Sequence, residues 1–276
     1  MPEGHTLRRL ADELDVAFGG RPAHVGSPQG RFAADAEQLD GSLLVGAESA
    51  GKHLFVEFTG ERYIHVHLGL IGKFDVREGA APPPVGMVRL RIQNATAYAD
   101  LRGATQCDLI TREKRNDIIA KLGPDPLRAD ADPGKAWARI SKSHRTIGEL
   151  LMDQTVLAGV GNVYRAEILY RHKVHPLRPG NTMRRSKWDA MWADLVELMA
   201  YGVLTGRIDT VRPEHTPEAM GRPPRVDDHG GEVYVYRRTG QPCLVCGTKI
   251  RTQELAGRNL FWCSQCQPKL RSRAVG

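Results

Sequence analysis

The stretch TIGELLMDQTVLAGVGNVYRAEILYRHKVHP, residues 146–176, decides how the C-terminal half of the chain is read. A helix is expected to end near Thr155. The turn AGVGN (158–162) then leads into a second helix that starts after Asn162. Gly159 and Gly161 allow backbone conformations in which N–H groups turn outward, and the N-terminus of the second helix adds positive dipole. Together they make an anion site of a size suited to a phosphate. Glycine kept in such a turn for purely steric reasons is the alternative.

Toward the C-terminus, Cys243-x₂-Cys246 and Cys263-x₂-Cys266 are separated by sixteen residues. Two such knuckles bring four thiolates into a tetrahedron that suits one structural zinc ion, with no ligand position left open for catalysis. Two redox-active pairs are the alternative, but those usually accompany a βαβ pattern that is absent here. The flanks VYVYR (233–237) and NLFWC (259–263) are expected as strands of a zinc β-ribbon. Arg237, Arg238, Lys249, Arg251 and Arg258 decorate it in a manner suited to phosphate contact. Cys107 stands apart and reads as a small buried hydrophobe.

Toward the N-terminus, LGPDPLRADADPG (122–134) reads as a linker, and the residues before it have a different texture. HLFVEF (53–58), YIHVHL (63–68), MVRLRI (87–92) and AYADL (97–101) read as strands, with residues 60–62 as a hairpin turn and EGAAPPPVG (78–86) as a loop. Residues 2–18 have the periodicity of an amphipathic helix, with Pro2 at its first position and Gly19-Gly20 as its stop. Further helices are expected near 146–152, 163–171 and 186–201, and an irregular Pro-rich loop over 207–231. The fold class is therefore α+β in two domains: an N-terminal β-sandwich flanked by helices, and a helical domain ending in the ribbon. The expected limits are 1–122, a linker over 123–134, 135–231 and 232–268.

The 276 residues are 41% hydrophobic and carry a formal charge of +7. That charge is unevenly placed: residues 1–140 sum to −1 and residues 141–276 to +8. A basic second half points to a polyanionic partner, nucleic acid before membrane. No run of eighteen apolar residues offers a spanning helix, and no signal-peptide pattern opens the chain. The cysteines do not suggest a disulfide framework, so a reducing, cytoplasmic setting is expected.

The opening MPEGHT, the segment LAGVGNVYRAEIL and the ending RTGQPCLVCG…GRNLFWCSQCQ stand in the order found in the formamidopyrimidine-DNA glycosylase/endonuclease VIII family, which the chain resembles from residue 2 to about 267. Gly4 and the FWC ending look more like the endonuclease VIII branch. The resemblance implies a helix–two-turn–helix at 146–176. It also implies a monomeric base-excision repair enzyme that binds damaged DNA, flips out an oxidised base, cuts its glycosidic bond and nicks the strand. By resemblance, Pro2, freed once Met1 is removed, is the nucleophile. The N-terminal dipole and nearby cations would keep its amine neutral. Glu3 is then the acid/base at the sugar. Lys52, in ESAGKHL (48–54), contacts phosphate and serves as proton donor. Asn162 and Arg258 hold phosphates beside the lesion, and Arg258 also assists δ-elimination.

Leu70, in HLGLIGKF (67–74), stands where family members fill the space left by the flipped base. A core strand position suits it as well. Three features depart from the family pattern. Gly69 occupies a position that is polar in endonuclease VIII relatives. Lys121 replaces a phosphate-binding arginine, keeping the charge but not the fork. Residues 207–231 do not look like the damaged-purine loop of the formamidopyrimidine branch. An oxidised-pyrimidine substrate is therefore expected. The rivals are an 8-oxoguanine/formamidopyrimidine glycosylase with the same chemistry, and a DNA-binding protein that has lost catalysis. The second would need none of Pro2, Glu3 and Lys52.

Overall fold

Helix α1 (Gly4–Phe18) buries Leu7, Leu10, Ala11, Leu14 and Phe18 along one stripe, and that stripe seats it on the first of two antiparallel sheets. In chain order it is followed by β1 (Arg21–Pro22), β2 (His24–Gly26), α2 (Ala33–Leu39), β3 (Leu43–Ala50), β4 (His53–Phe58), β5 (Arg62–His67), β6 (Lys73–Glu78), β7 (Val88–Gln93), β8 (Ala97–Arg102), β9 (Gln106–Thr111) and α3 (Arg112–Ala120). Strand order is β1-β3-β4-β5-β9 in one sheet and β2-β7-β8-β6 in the other. Alternate residues of both sheets, Leu54, Val56, Phe58, Ile64 and Val66 against Leu90, Ile92, Ala99 and Leu101, share one core with α1. This is the expected sandwich.

These details come from a computed structural model, which describes residues 2–226 and 231–269. Met1, whose removal the resemblance leads one to expect, and residues 227–230 of the expected loop lie outside the described residues. The chain divides into two units, Met1–Leu122 and Gly123–Gly276. The second contains α4 (Pro133–Ile140), α5 (Ile147–Leu150), α6 (Asn162–Arg171), α7 (Arg185–Thr205), α8 (Pro217–Met220) and the hairpin β10 (Arg251–Leu255) with β11 (Arg258–Trp262). Its core joins residues of α4 to α7 with Tyr234, Val235, Tyr236, Cys243 and Cys263.

Several expectations change. Helix α1 begins at Gly4 with Glu3 as its cap, so Pro2 precedes the helix instead of opening it. Helix α5 stops at Leu150, well before Thr155, and turns carry the chain on to α6. Helix α4 begins at Pro133, inside the segment that read as a linker, with Asp132 Oδ1 accepting from Gly134 N.

Residues 233–237 are not a strand. Val233 to Tyr236 are each at most 2% exposed, so this run has no solvent face to alternate with. Its N–H groups find a side chain instead of a partner strand. Tyr234, Val235 and Tyr236 donate at 2.7, 2.9 and 2.8 Å to the carboxylate of Glu167 on α6. That carboxylate also accepts from Thr210 Oγ1 at 2.6 Å. Before this run, Arg212 N donates to Tyr234 Oη and Arg225 N to Glu232 Oε1, so the described part of the Pro-rich stretch is tied down.

Candidate functional site

In the first unit, Glu3 is completely buried. Its carbonyl accepts from Thr6 N at 2.9 Å, and its own N–H points to Thr6 Oγ1 at 3.4 Å. Pro2 directly before it is only partly buried. A partly accessible proline and a carboxyl sealed from solvent therefore adjoin at the positive end of a fifteen-residue helix. His5, which the sequence gave no reason to single out, is buried beside them. Burial first, and then the positive chain terminus, push its imidazole down to about 4, so it is neutral at physiological pH.

Lys52 follows Gly51 in a two-residue hairpin closed by the pair Ala50 and His53. Gly51 has φ 59°, as the first central position of a II′ turn requires. Burial lowers the pKa of His67, and the Lys52 charge lowers it further, which places the lysine near the end of β5. His67 Nδ1 lies 3.0 Å from Thr105 Oγ1, and Thr105 Oγ1 donates to His67 O at 2.9 Å. The hydroxyl proton is thus committed to the carbonyl, so His67 Nδ1 must carry the proton of the other contact.

Gly69 has φ +70°, and a Cβ there would lie 2.4 Å from Thr105 Cγ2. The turn offers a side chain at position 69 neither the backbone angle nor the space it would need. Leu70 is 56% exposed and Ile71 80%, at the turn between β5 and β6. The core-strand alternative for Leu70 is therefore excluded. Ile71, an even more exposed apolar neighbour, was missed because HLGLIGKF reads from its pattern as the continuation of a strand. Lys121 caps the C-terminus of α3 and is exposed. A cation is favourable there whatever its role.

In the second unit, the amide of Asn162 is already engaged. Its Nδ2 donates to Asn259 O at 3.1 Å, and its Oδ1 accepts from Arg165 Nη2. Arg165, only 1% exposed, also donates to Asn259 O at 3.1 Å. The start of α6 is thereby pinned to the residue after Arg258. Arg258 is exposed, with Nη1 at 3.1 Å from Gly257 O. Gly159 N–H turns inward to Gln154 Oε1 at 3.0 Å instead of outward. Arg238 is also withdrawn from any phosphate: it is buried and donates to Tyr234 O, Pro242 O and Gln241 Oε1 at 2.6, 2.8 and 3.1 Å.

The ligand atoms of Cys243, Cys246, Cys263 and Cys266 lie within 4.8 Å of one another. Cys243 Sγ to Cys266 Sγ is 3.8 Å, and Cys246 Sγ to Cys263 Sγ is 3.5 Å. Tetrahedral zinc with bonds of about 2.3 Å asks for edges of roughly 3.8 Å. The donor set and its spacing fit one structural zinc ion, which would fix the ribbon. Cys107 is buried in the first unit, and burial raises its thiol to about 12, which leaves it unreactive.

A β-sandwich that presents a buried glutamate behind an N-terminal proline, followed by a helical unit with a Cys₄ ribbon, defines a DNA glycosylase/AP lyase of base excision repair. The chain belongs to the formamidopyrimidine-DNA glycosylase/endonuclease VIII family. Residues 1–107 match the formamidopyrimidine-DNA glycosylase N-terminal domain, 122–212 its H2TH domain, and 240–269 the zinc finger found in FPG and IleRS. Endonuclease 8 1 of Mycobacterium tuberculosis is 52% identical over 97% of this chain and 100% of its own length. Endonuclease 8 of Escherichia coli is 28% identical over the same shares. Lactococcus lactis Fpg, in a complex with DNA containing an abasic site, has a similar fold, with TM-score 0.79 and 24% identity over 97% of this chain and 100% of that one.

Proposed function

We propose that this enzyme removes oxidised pyrimidines from damaged DNA through a covalent intermediate on Pro2. The observation that carries the reading is the placement of Glu3, wholly buried and adjacent to a partly exposed Pro2. The secondary amine attacks C1′ of the deoxyribose while Glu3 protonates the ring oxygen, and the base departs with the glycosidic electron pair. The amine then loses its proton, and its lone pair breaks the C1′–O4′ bond, the ring oxygen leaving as the hydroxyl protonated by Glu3; the resulting iminium ion acidifies C2′. Removal of that proton expels the 3′ phosphate, and a second elimination expels the 5′ phosphate. Water then frees Pro2. Lys52 holds a phosphate at the lesion and supplies a proton during the first elimination.

Asn162 retains one amide hydrogen beyond its bond to Asn259 and uses it on a phosphate, while Arg258 holds another and assists the second elimination. Lys121 contributes charge to the grip. Leu70, on the turn that Gly69 shapes, fills the space left by the flipped base. In this reading residues 1–122 carry the chemistry, 135–231 the grip, and 232–268 a zinc-stabilised ribbon. The enzyme works as a cytoplasmic monomer, and among the described residues no helix is long and apolar enough to cross a membrane. The likeness to relatives named endonuclease 8, at 52% and 28% identity, supports placing the chain in that branch.

Borohydride reduction on duplexes carrying an oxidised pyrimidine or an abasic site tests the proposal. The expected result is a trapped protein–DNA adduct that disappears when the Pro2 amine is acetylated or Met1 is retained. A trapped adduct in either blocked protein removes Pro2 from its role. Faster excision of 8-oxoguanine than of oxidised pyrimidines overturns the substrate assignment alone.

A further inference from the structure

Helix α6 reaches the ribbon at both ends. At its start Asn162 and Arg165 hold Asn259 O. In its last turn Tyr170, 5% exposed, places its hydroxyl 3.0 Å from Cys243 Sγ and 3.9 Å from Cys266 Sγ. We propose that the Tyr170 hydroxyl is a hydrogen-bond donor to the zinc-bound thiolates. As a positioning residue it would strengthen metal retention and tie the zinc site to the helix that opens at Asn162.

The direction of the bond follows from the chemistry of the site. A cysteine that ligates zinc is a thiolate with no proton to give, so the phenol must be the donor. Four thiolates around one divalent cation leave a net charge of −2, and Cys243 and Cys263 are 4% and 0% exposed. A buried excess of negative charge needs donors. Cys263 Sγ receives one from the backbone, Cys266 N at 3.4 Å. At Cys243 the comparable donor is a side chain from another element.

The ring is held for this purpose by stacking on Tyr234, with centroids 4.5 Å apart and planes inclined by 26°. Space-filling alone would be served equally by phenylalanine, and burying an unsatisfied hydroxyl is costly. The hydroxyl is therefore explained by the sulfur it faces.

The test uses the full chain with Tyr170→Phe, which keeps the stacked ring. Loaded with cobalt(II) in place of zinc, the variant should show its sulfur-to-metal charge-transfer band at lower energy, because the thiolate electrons lose a stabilising proton. Competition with a chromophoric chelator should show zinc affinity reduced by roughly 10- to 100-fold, the usual effect of removing an outer-shell partner. Tyr234→Phe removes the other hydroxyl of the stack, which contacts Arg212 N and His215 instead, and should leave the band in place. Should Tyr170→Phe prove unable to fold, 3-fluorotyrosine at position 170, a stronger donor of the same shape, should move the band to higher energy. An unmoved band with unchanged zinc affinity in folded Tyr170→Phe overturns the proposal. So does an equal shift in Tyr234→Phe, or an unmoved band with 3-fluorotyrosine.

Discussion

Glu3 and Arg258 are both ionisable residues, yet one is sealed from solvent and the other stands in it, and their replacement should separate chemistry from grip. Glu3→Gln keeps the volume and removes the acid. Duplex binding should persist while base excision falls by roughly two to four powers of ten, as single-turnover kinetics would show. Arg258→Ala should weaken binding and reduce the salt slope of log affinity by about one, read from titrations at several ionic strengths. Gly69 makes a different point. Gly69→Ala puts a Cβ at a positive φ and against Thr105, whose hydroxyl is committed to His67. It should cost about 1–3 kcal/mol in urea denaturation. Placing a polar side chain at 69 is thus expected to harm the turn that carries Leu70. The sequence identified position 69 as a departure from relatives, but the cause lay in Thr105, thirty-six residues away, where no local pattern could point.

At the scale of elements, Glu167 decides how residues 234–236 run. Three N–H groups and one hydroxyl converge on its carboxylate. Glu167→Gln would set an NH₂ against donors already pointing at it. The second unit should lose on the order of 3 kcal/mol or more, measured by calorimetry, with unfolding of the first unit unchanged. VYVYR read as a strand because its residues favour one, and propensity gave way to a buried carboxylate from a distant helix. Elements with strong internal periodicity, such as α1, β4, β5, β7 and β8, were legible from sequence. Strands β3 and β9 and helix α3 were not, since Gly46, Ser49, Asp108 and the polar α3 blur their patterns. The zinc ligands were legible because their spacing is their function. Arg165 and Tyr170 were not, because they act through contacts that only the fold creates.

The whole molecule carries a pH response written in histidines. His53 Nδ1 lies 2.9 Å from His65 Nε2, with the rings stacked. Burial, and then the neighbouring His65 and His67, push His53 down to about 4. Burial takes His65 to about 4 as well, against the opposing pull of Asp108. Groups held neutral in the fold contribute their stability fully above the unfolded value near 6.5, and lose it as pH falls from there toward 4. Each histidine of the pair should therefore account for up to roughly 3 kcal/mol lost across that window, with His5 acting in the same range. Asp194 lies lower. Burial alone would raise it, but bonds from His172 and Arg171 hold it at about 2, so its contribution fades only below the ordinary carboxylate range. Urea melts at stepped pH should show the first loss between 6.5 and 4, and His65→Gln should flatten it.

The side chains of helix α6 also set an order in time. Glu167 must wait for residues 234–236, and Asn162 for Asn259, before either side chain finds its partner. At ordinary rates of synthesis these partners leave the ribosome roughly 3–20 s later. All the strands of the sandwich, by contrast, precede residue 112. A nascent chain therefore holds a finished first unit for several seconds while the Glu167 carboxylate of the second still faces water. Ribosomes stalled before residue 234 would display a protease-resistant first unit and a cleavable second one.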